Sequence, residues 1–242
     1  MVATTLNPAR ASTGYFYVWM AAACVAVAFG GFAPTYWLQV PAGTFVGAPI
    51  VHLHGLVFSA WTLLLLSQTW LAANDRLEHH RAWGLAGISL ATAMLFLGFA
   101  TAINSAVSNG AGGHEVAARA FMIVPVSGIV MFAGLVAAAI ANITRPDWHK
   151  RLMLSATMLI TTPGLGRLLP MDSFGPAAPL ILFVTAYAFL AAGMIYDLVT
   201  RRRVHPAYWW GSGAYVAFIV VTPAISFSPI GTAAVAALTG GR

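Results

Sequence analysis

The sequence Arg76-Leu-Glu-His-His80-Arg81 stands between two long apolar runs, and its order of arginine, acid, histidine and base returns in Arg145-Pro-Asp-Trp-His149-Lys150. Away from such junctions the chain carries little charge, because 60% of its 242 residues are hydrophobic and 7% are charged. Soluble domains contain about 25% charged residues. A chain this apolar accepts ionisable side chains only where water, protein partners or a cofactor surround them. The composition therefore predicts an integral membrane protein with polar groups concentrated at helix ends.

Hydropathy divides the chain into seven predicted transmembrane helices, since one crossing of a bilayer takes about 20 apolar residues. The prediction is an all-α polytopic bundle that forms a single transmembrane domain over residues 1–242. Pro163 lies within the fifth helix and removes a backbone hydrogen bond, so a kink or a break into two half-helices is expected at residues 161–164. The helices are expected at residues 14–33, 50–73, 82–104, 117–143, 151–170, 176–199 and 208–232.

Lysine and arginine are distributed unequally between the two sides of these predicted helices. The richer side is cytoplasmic by the positive-inside rule, so the N-terminus is expected inside and the C-terminus outside. The formal charge of +6 is then explained by cytoplasmic loops facing anionic lipids, and no nucleic-acid partner is expected. A cleaved signal peptide is the alternative interpretation of the first segment, although the length of the segment and its aromatic residues favour a span. The richer side holds Arg10, Arg76, Arg81, Arg145, Lys150, Arg151, Arg201, Arg202 and Arg203, and the other side holds Arg119, Arg167 and Arg242.

The histidines are the candidate ligands, and the predicted topology separates them by depth. His52 and His54 open the second span at its outer end, and His114 lies in the next outer loop. A span of about 20 residues, at 1.5 Å per residue, separates outer from inner groups by roughly 30 Å. One haem or metal ion can therefore use ligands from only one group. The inner group consists of His79, His80, His149 and His205.

In the outer group, His52 and His54 point to nearly opposite sides of a regular helix. His54 shares its stripe with Trp61 and Gln68 at steps of seven residues. Because an intramembrane glutamine normally faces protein, His54 is favoured over His52 as the metal ligand that faces the bundle. The alternative is that both are interfacial histidines bonded to loop carbonyls.

The inner pair, His80 and His149, is the stronger candidate for a cofactor or metal site. An acid precedes each histidine by two residues, as Glu78 and Asp147, and a carboxylate beside an imidazole fixes its tautomer and raises its basicity. The adjoining bases are predicted to hold an anionic group such as a haem propionate, a lipid phosphate or an acidic quinone substituent. Topology alone explains part of this pattern, because short cytoplasmic loops are basic and helix starts favour acids. The bases are Arg76, Arg81, Arg145 and Lys150.

The stretches His149-Lys-Arg-Leu-Met-Leu-Ser-Ala-Thr157 and His80-Arg-Ala-Trp-Gly84 resemble motifs of small bacterial polytopic membrane families, including a cytochrome c oxidase assembly family. The resemblance covers two short patches. It implies a bacterial inner-membrane protein that handles haem or copper or interacts with a respiratory complex, and it points to His80 and His149, with His54 as a looser candidate.

Three functions compete at this stage. The first is a protein that binds haem b or a transition metal for electron transfer or oxidase assembly, in contact with a respiratory complex or quinone. The second is a transporter or scaffold for a neutral or apolar molecule. The third is a zinc-dependent membrane lipid hydrolase, which lacks support because the predicted last helix contains no histidine.

Phosphate-loop, dinucleotide-binding and His-Glu-x-x-His motifs are absent, and the single Cys24 cannot form an intramolecular disulfide.

Overall fold

The computed structural model describes residues 8–110 and 115–239, with side chains described from residue 15 to 108 and from residue 121 to 239. Within these ranges the chain is helical and contains no strand, which confirms the predicted all-α class. A π-helix, Ala33–Trp37, extends the first α-helix, and a 3-10 helix, Met171–Ala177, precedes the sixth. The α-helices are α1 (Pro8–Phe32), α2 (Pro49–Ala73), α3 (Leu77–Gly110), α4 (Glu115–Ala141), α5 (Pro146–Leu168), α6 (Ala178–Arg201), α7 (Pro206–Ser226) and α8 (Pro229–Leu238).

Six helical segments in the described part of the chain are long and apolar enough to cross a membrane. The fifth predicted span, now α5, is not among them, because charged residues lie near both of its ends. Length and composition thus support a membrane protein with six spans, whereas a seventh crossing and the orientation of the termini stay predictions. The six segments are Tyr15–Trp37, Pro49–Ala73, Leu77–Ser108, Phe121–Ala141, Met171–Arg201 and Pro206–Ser226.

Helix α5 lies at the centre of the bundle and packs against α1, α4, α6 and α7. Its contact with α1 is close, because a Cβ atom added to Gly31 would overlap the backbone of Gly164. The helix is continuous through Pro163, so the expected alternative of a break into two half-helices is wrong, whereas the alternative of a kink stays a prediction. Prolines are tolerated inside membrane helices where neighbouring helices hold the chain on several sides. The polar residues Arg151, Ser155, Thr157, Thr161 and Thr162 of α5 are buried.

The starts of α1, α3 and α5 and the ends of α3 and α7 differ from the hydropathy prediction by five or six residues. Helices α3 and α5 begin at Leu77 and Pro146, five residues earlier than expected, because a hydropathy window misses a polar first turn. Proline at the first helical position suits its fixed φ. His80 and His149 consequently lie in first turns of helices. The last predicted helix divides after Ser226, where Ser228 caps α8 and Pro229 occupies its first position.

Candidate metal centre at the two polar junctions

His80 and His149 are held in the same way by the helix that precedes each of them. The Nδ1 atom of His80 lies 3.2 Å from the backbone oxygen of Gln68, and that of His149 lies 2.9 Å from the backbone oxygen of Ala139. A carbonyl oxygen only accepts, so each Nδ1 carries the proton and donates it. In the neutral ring with this tautomer, Nε2 carries the lone pair, which is the form of imidazole that binds a metal.

The equivalence of the two histidines follows from the repeated junction. In each copy a helix ends, a short turn follows, and the next helix presents its histidine in the first turn. Gln68 and Ala139 belong to the final turns of α2 and α4, so each histidine bonds back across its own helical hairpin. The repeat in sequence is therefore a repeat in structure.

The two hairpins bring the imidazole rings together. Their centroids lie 6.3 Å apart and their planes are inclined by 85°. A bond from a metal to an imidazole nitrogen is about 2 Å long, so two imidazoles on opposite sides of one metal have ring centroids about 6 Å apart. The separation of the His80 and His149 rings is within the reach of two imidazoles that bind one metal, and it is also that of an edge-to-face ring contact.

The acids of the repeated motif do not support these histidines, and this part of the prediction is wrong. Asp147 accepts from Lys150 at 2.9 Å, from Arg151 at 3.0 Å and from Arg201 at 2.8 Å. The Glu78 side chain is exposed, and backbone carbonyls bind both imidazoles instead. Residues two apart in a helix do not face each other, which prevents either acid from reaching its histidine once the first turn is helical.

Electrostatics keep the Asp147 carboxyl ionised. Its partial burial raises its pKa, but hydrogen bonds from Arg201, Lys150 and Arg151 outweigh burial and hold the pKa well below its usual range. Asp147 therefore joins the start of α5 to the end of α6.

The four predicted anion-binding bases have different surroundings. Lys150 is bound by Asp147, and its Nζ atom lies 5.0 Å from the centre of the Tyr17 ring. Arg76 lies over the ring of Trp70, and the side chains of Arg81 and Arg145 are exposed. The ammonium group of Lys150 therefore contacts Asp147 and Tyr17 within the protein. A role for these four bases beside a cofactor stays a prediction.

Of the two outer histidines on α2, His54 points towards the bundle and His52 does not, as the positions of polar residues along the helix predict. His52 is exposed and its Nδ1 atom lies 2.9 Å from the hydroxyl of Tyr36. The ring of His54 stacks on Phe58, and its buried Nδ1 atom has no hydrogen-bond partner among the described residues. Trp61, on the same stripe as His54, is buried and donates to Thr157 on α5 at 3.1 Å. His54 thus faces the bundle.

Depth separates His54 from the inner pair, as predicted. His80 bonds to Gln68, which is fourteen residues after His54 on α2, or about 21 Å at 1.5 Å per residue. His54 and His80 therefore cannot share a ligand. His114 lies outside the described residues, and within them no group of three or more His, Cys, Asp or Glu residues could hold a metal ion.

The sequence analysis missed a buried ion pair between α5 and α6. The side chains of Arg151 and Asp197 are 1% and 0% exposed. The Nε atom of Arg151 donates to Asp197 at 2.9 Å, a second guanidinium nitrogen donates to the other carboxylate oxygen, and the His205 backbone N–H donates at 3.0 Å. Asp197 interrupts an apolar run, and an acid within a membrane helix is itself a signal of a buried partner.

His205, in the third arginine-histidine junction, does not join the pair. Its Nδ1 atom accepts from the backbone N–H of Ala207 at 3.2 Å, which caps the start of α7. Its ring packs edge-on against Trp148 with centroids 5.3 Å apart. The third junction therefore does not repeat the carbonyl-bound arrangement of His80 and His149.

Comparison with known proteins adds no functional information about this site. No family model, curated protein or solved structure matches the chain. The resemblance to oxidase assembly families stays a prediction that depends on the short motifs around His80 and His149. The paired imidazoles and their fixed tautomers are therefore the basis for a functional proposal.

Proposed function

We propose that the chain is an integral membrane protein that holds one transition-metal centre, with haem b as the leading candidate, between His80 and His149. Its proposed role is electron transfer or the assembly of a terminal oxidase, in contact with a respiratory complex or quinone of a bacterial inner membrane. The single observation that supports this proposal is the pair of imidazoles, 6.3 Å apart, each with Nδ1 donating to a backbone carbonyl.

The number of protein ligands favours haem over zinc. A catalytic zinc site takes three protein ligands and a structural site takes four. Haem iron takes four nitrogens from the porphyrin, so two imidazoles complete its coordination. Two imidazoles also suit copper, for which nitrogen ligands have high affinity. A zinc-dependent lipid hydrolase receives no support from the described residues, because they include no group of three metal ligands.

The residues of the chain have distinct roles in this proposal. His80 and His149 provide the two Nε2 lone pairs, and the carbonyls of Gln68 and Ala139 hold the rings and increase their basicity. When bound, haem supplies one-electron oxidation and reduction.

The experiment is an absorption spectrum and a metal analysis of the protein purified in detergent, oxidised and then reduced with dithionite. Wild type is expected to show a Soret band or stoichiometric copper, and His80→Ala and His149→Ala are each expected to lose it. His79→Ala is the matched control, since His79 is exposed and belongs to the same junction. A wild-type protein without haem or metal would refute the proposal and would favour a transporter or scaffold.

A further inference from the structure

A second polar feature lies in the loop that joins α6 to α7. This loop lines a cavity of about 270 Å³ that is open to the surface. Three of its lining residues are basic or titratable, namely Arg201, Arg203 and His205, and Val204 and Pro206 complete the lining. This loop takes no part in the candidate metal centre, because the His205 ring is committed to Trp148 and to the cap of α7.

Positive charge around this cavity exceeds the negative charge that neutralises it. Lys150, Arg151 and Arg201 share two carboxylates, those of Asp147 and Asp197, which leaves one positive charge.

Two further arginines raise this excess. Arg202 and Arg203 have exposed side chains, and the salt bridges of the described residues do not reach them. The excess is therefore three positive charges.

Apolar surface adjoins the cavity on both helices. Trp209 and Trp210, in the first turns of α7, are 61% and 69% exposed. Leu198 and Val199, near the end of α6, are also exposed. Tryptophans at the end of a membrane helix mark the headgroup level, and exposed aliphatic side chains below it contact acyl chains. A ligand for this place carries a negative headgroup and an apolar tail.

We propose that the cavity of the α6–α7 loop binds the phosphate of an anionic phospholipid, with Arg203 as its main ligand. Arg203 lines the cavity and is exposed, whereas Arg201 is already bound to Asp147. Basic pockets at the ends of transmembrane helices are typical sites for anionic headgroups.

The experiment is native mass spectrometry of the full chain in detergent, titrated with dioleoyl phosphatidylglycerol, with dioleoyl phosphatidylcholine and with inorganic phosphate. Phosphatidylglycerol is expected to bind wild type more tightly than phosphatidylcholine does, and phosphate alone is expected not to compete at equal concentration. Arg203→Gln is expected to weaken phosphatidylglycerol binding by about tenfold or more, because it removes a charge-assisted hydrogen bond to the phosphate, while Arg203→Lys retains most of the affinity.

Arg202→Gln is the matched control, because Arg202 lies in the same loop and has the same charge but does not line the cavity. Its expected effect is smaller, at most about fivefold, because it contributes to binding only through diffuse charge. Equal losses in Arg202→Gln and Arg203→Gln would overturn the proposal by showing that the loop attracts lipid through diffuse charge. Competition by inorganic phosphate alone would show that the cavity binds a free anion, and it would overturn the proposal of a lipid ligand. Equal affinity of wild type for the two lipids would also overturn it.

Discussion

Replacement of Asp197 by asparagine tests whether the buried ion pair holds α5 in place. The carboxylate accepts from two nitrogens of Arg151 and from the His205 backbone, and the side chains of Arg151 and Asp197 are shielded from water. Asparagine keeps the shape of the side chain but leaves Arg151 with only the Asp147 carboxylate as an ionic partner. Breaking a buried pair by removing one partner costs about 3–5 kcal/mol.

A cost of about 3 kcal/mol lowers the melting temperature of a chain of this size by about 6–12 °C. The assay is thermal unfolding in detergent of wild type, Asp197→Asn, Arg151→Met and the double variant. Because the two side chains contact each other, the double variant is expected to lose less stability than the sum of the single losses, with a coupling of about 1–3 kcal/mol. A loss below about 1 kcal/mol in Asp197→Asn, or strict additivity, would refute this reasoning.

Two further predictions concern Asp147 and the contact between α1 and α5. Because the folded pKa of Asp147 is depressed, its stabilising contribution is present above the unfolded pKa of about 3.9 and is lost as pH falls through the folded value. The difference in melting temperature between wild type and Asp147→Asn is therefore expected to stay constant from about pH 8 to pH 5 and to shrink below about pH 4; a difference that shrinks already between pH 8 and pH 6 would contradict it. Gly31→Ala is expected to destabilise the protein by about 1–3 kcal/mol, because its new methyl group meets the backbone of Gly164. Gly84→Ala is its control in the same thermal assay, since nothing lies within 4 Å of the added carbon and the helix gains about 0.5–1 kcal/mol; equal effects of the two substitutions would show that the close contact does not matter.

Features that depend on neighbouring residues could be predicted from the sequence. Apolar runs of sufficient length indicate the membrane class and most helices, because the bilayer imposes the same requirement on every crossing. Helical periodicity also predicts that His54 faces the bundle, because residues seven apart share one side of a helix. Hydropathy did not predict the first turns of α3 and α5, because these turns are polar and no apolar window includes them.

Contacts between residues that are far apart in the chain were decided by tertiary structure alone. His80 and His149 approach each other only because α3 and α5 begin at the same end of the bundle. Asp147 precedes His149 by two residues but binds Arg201 on α6, because a helical turn directs it away from the imidazole. Arg151 and Asp197 are buried together although each belongs to a different apolar run. Local sequence specifies which side of a helix a residue occupies, whereas the packing of whole helices determines which residue it meets.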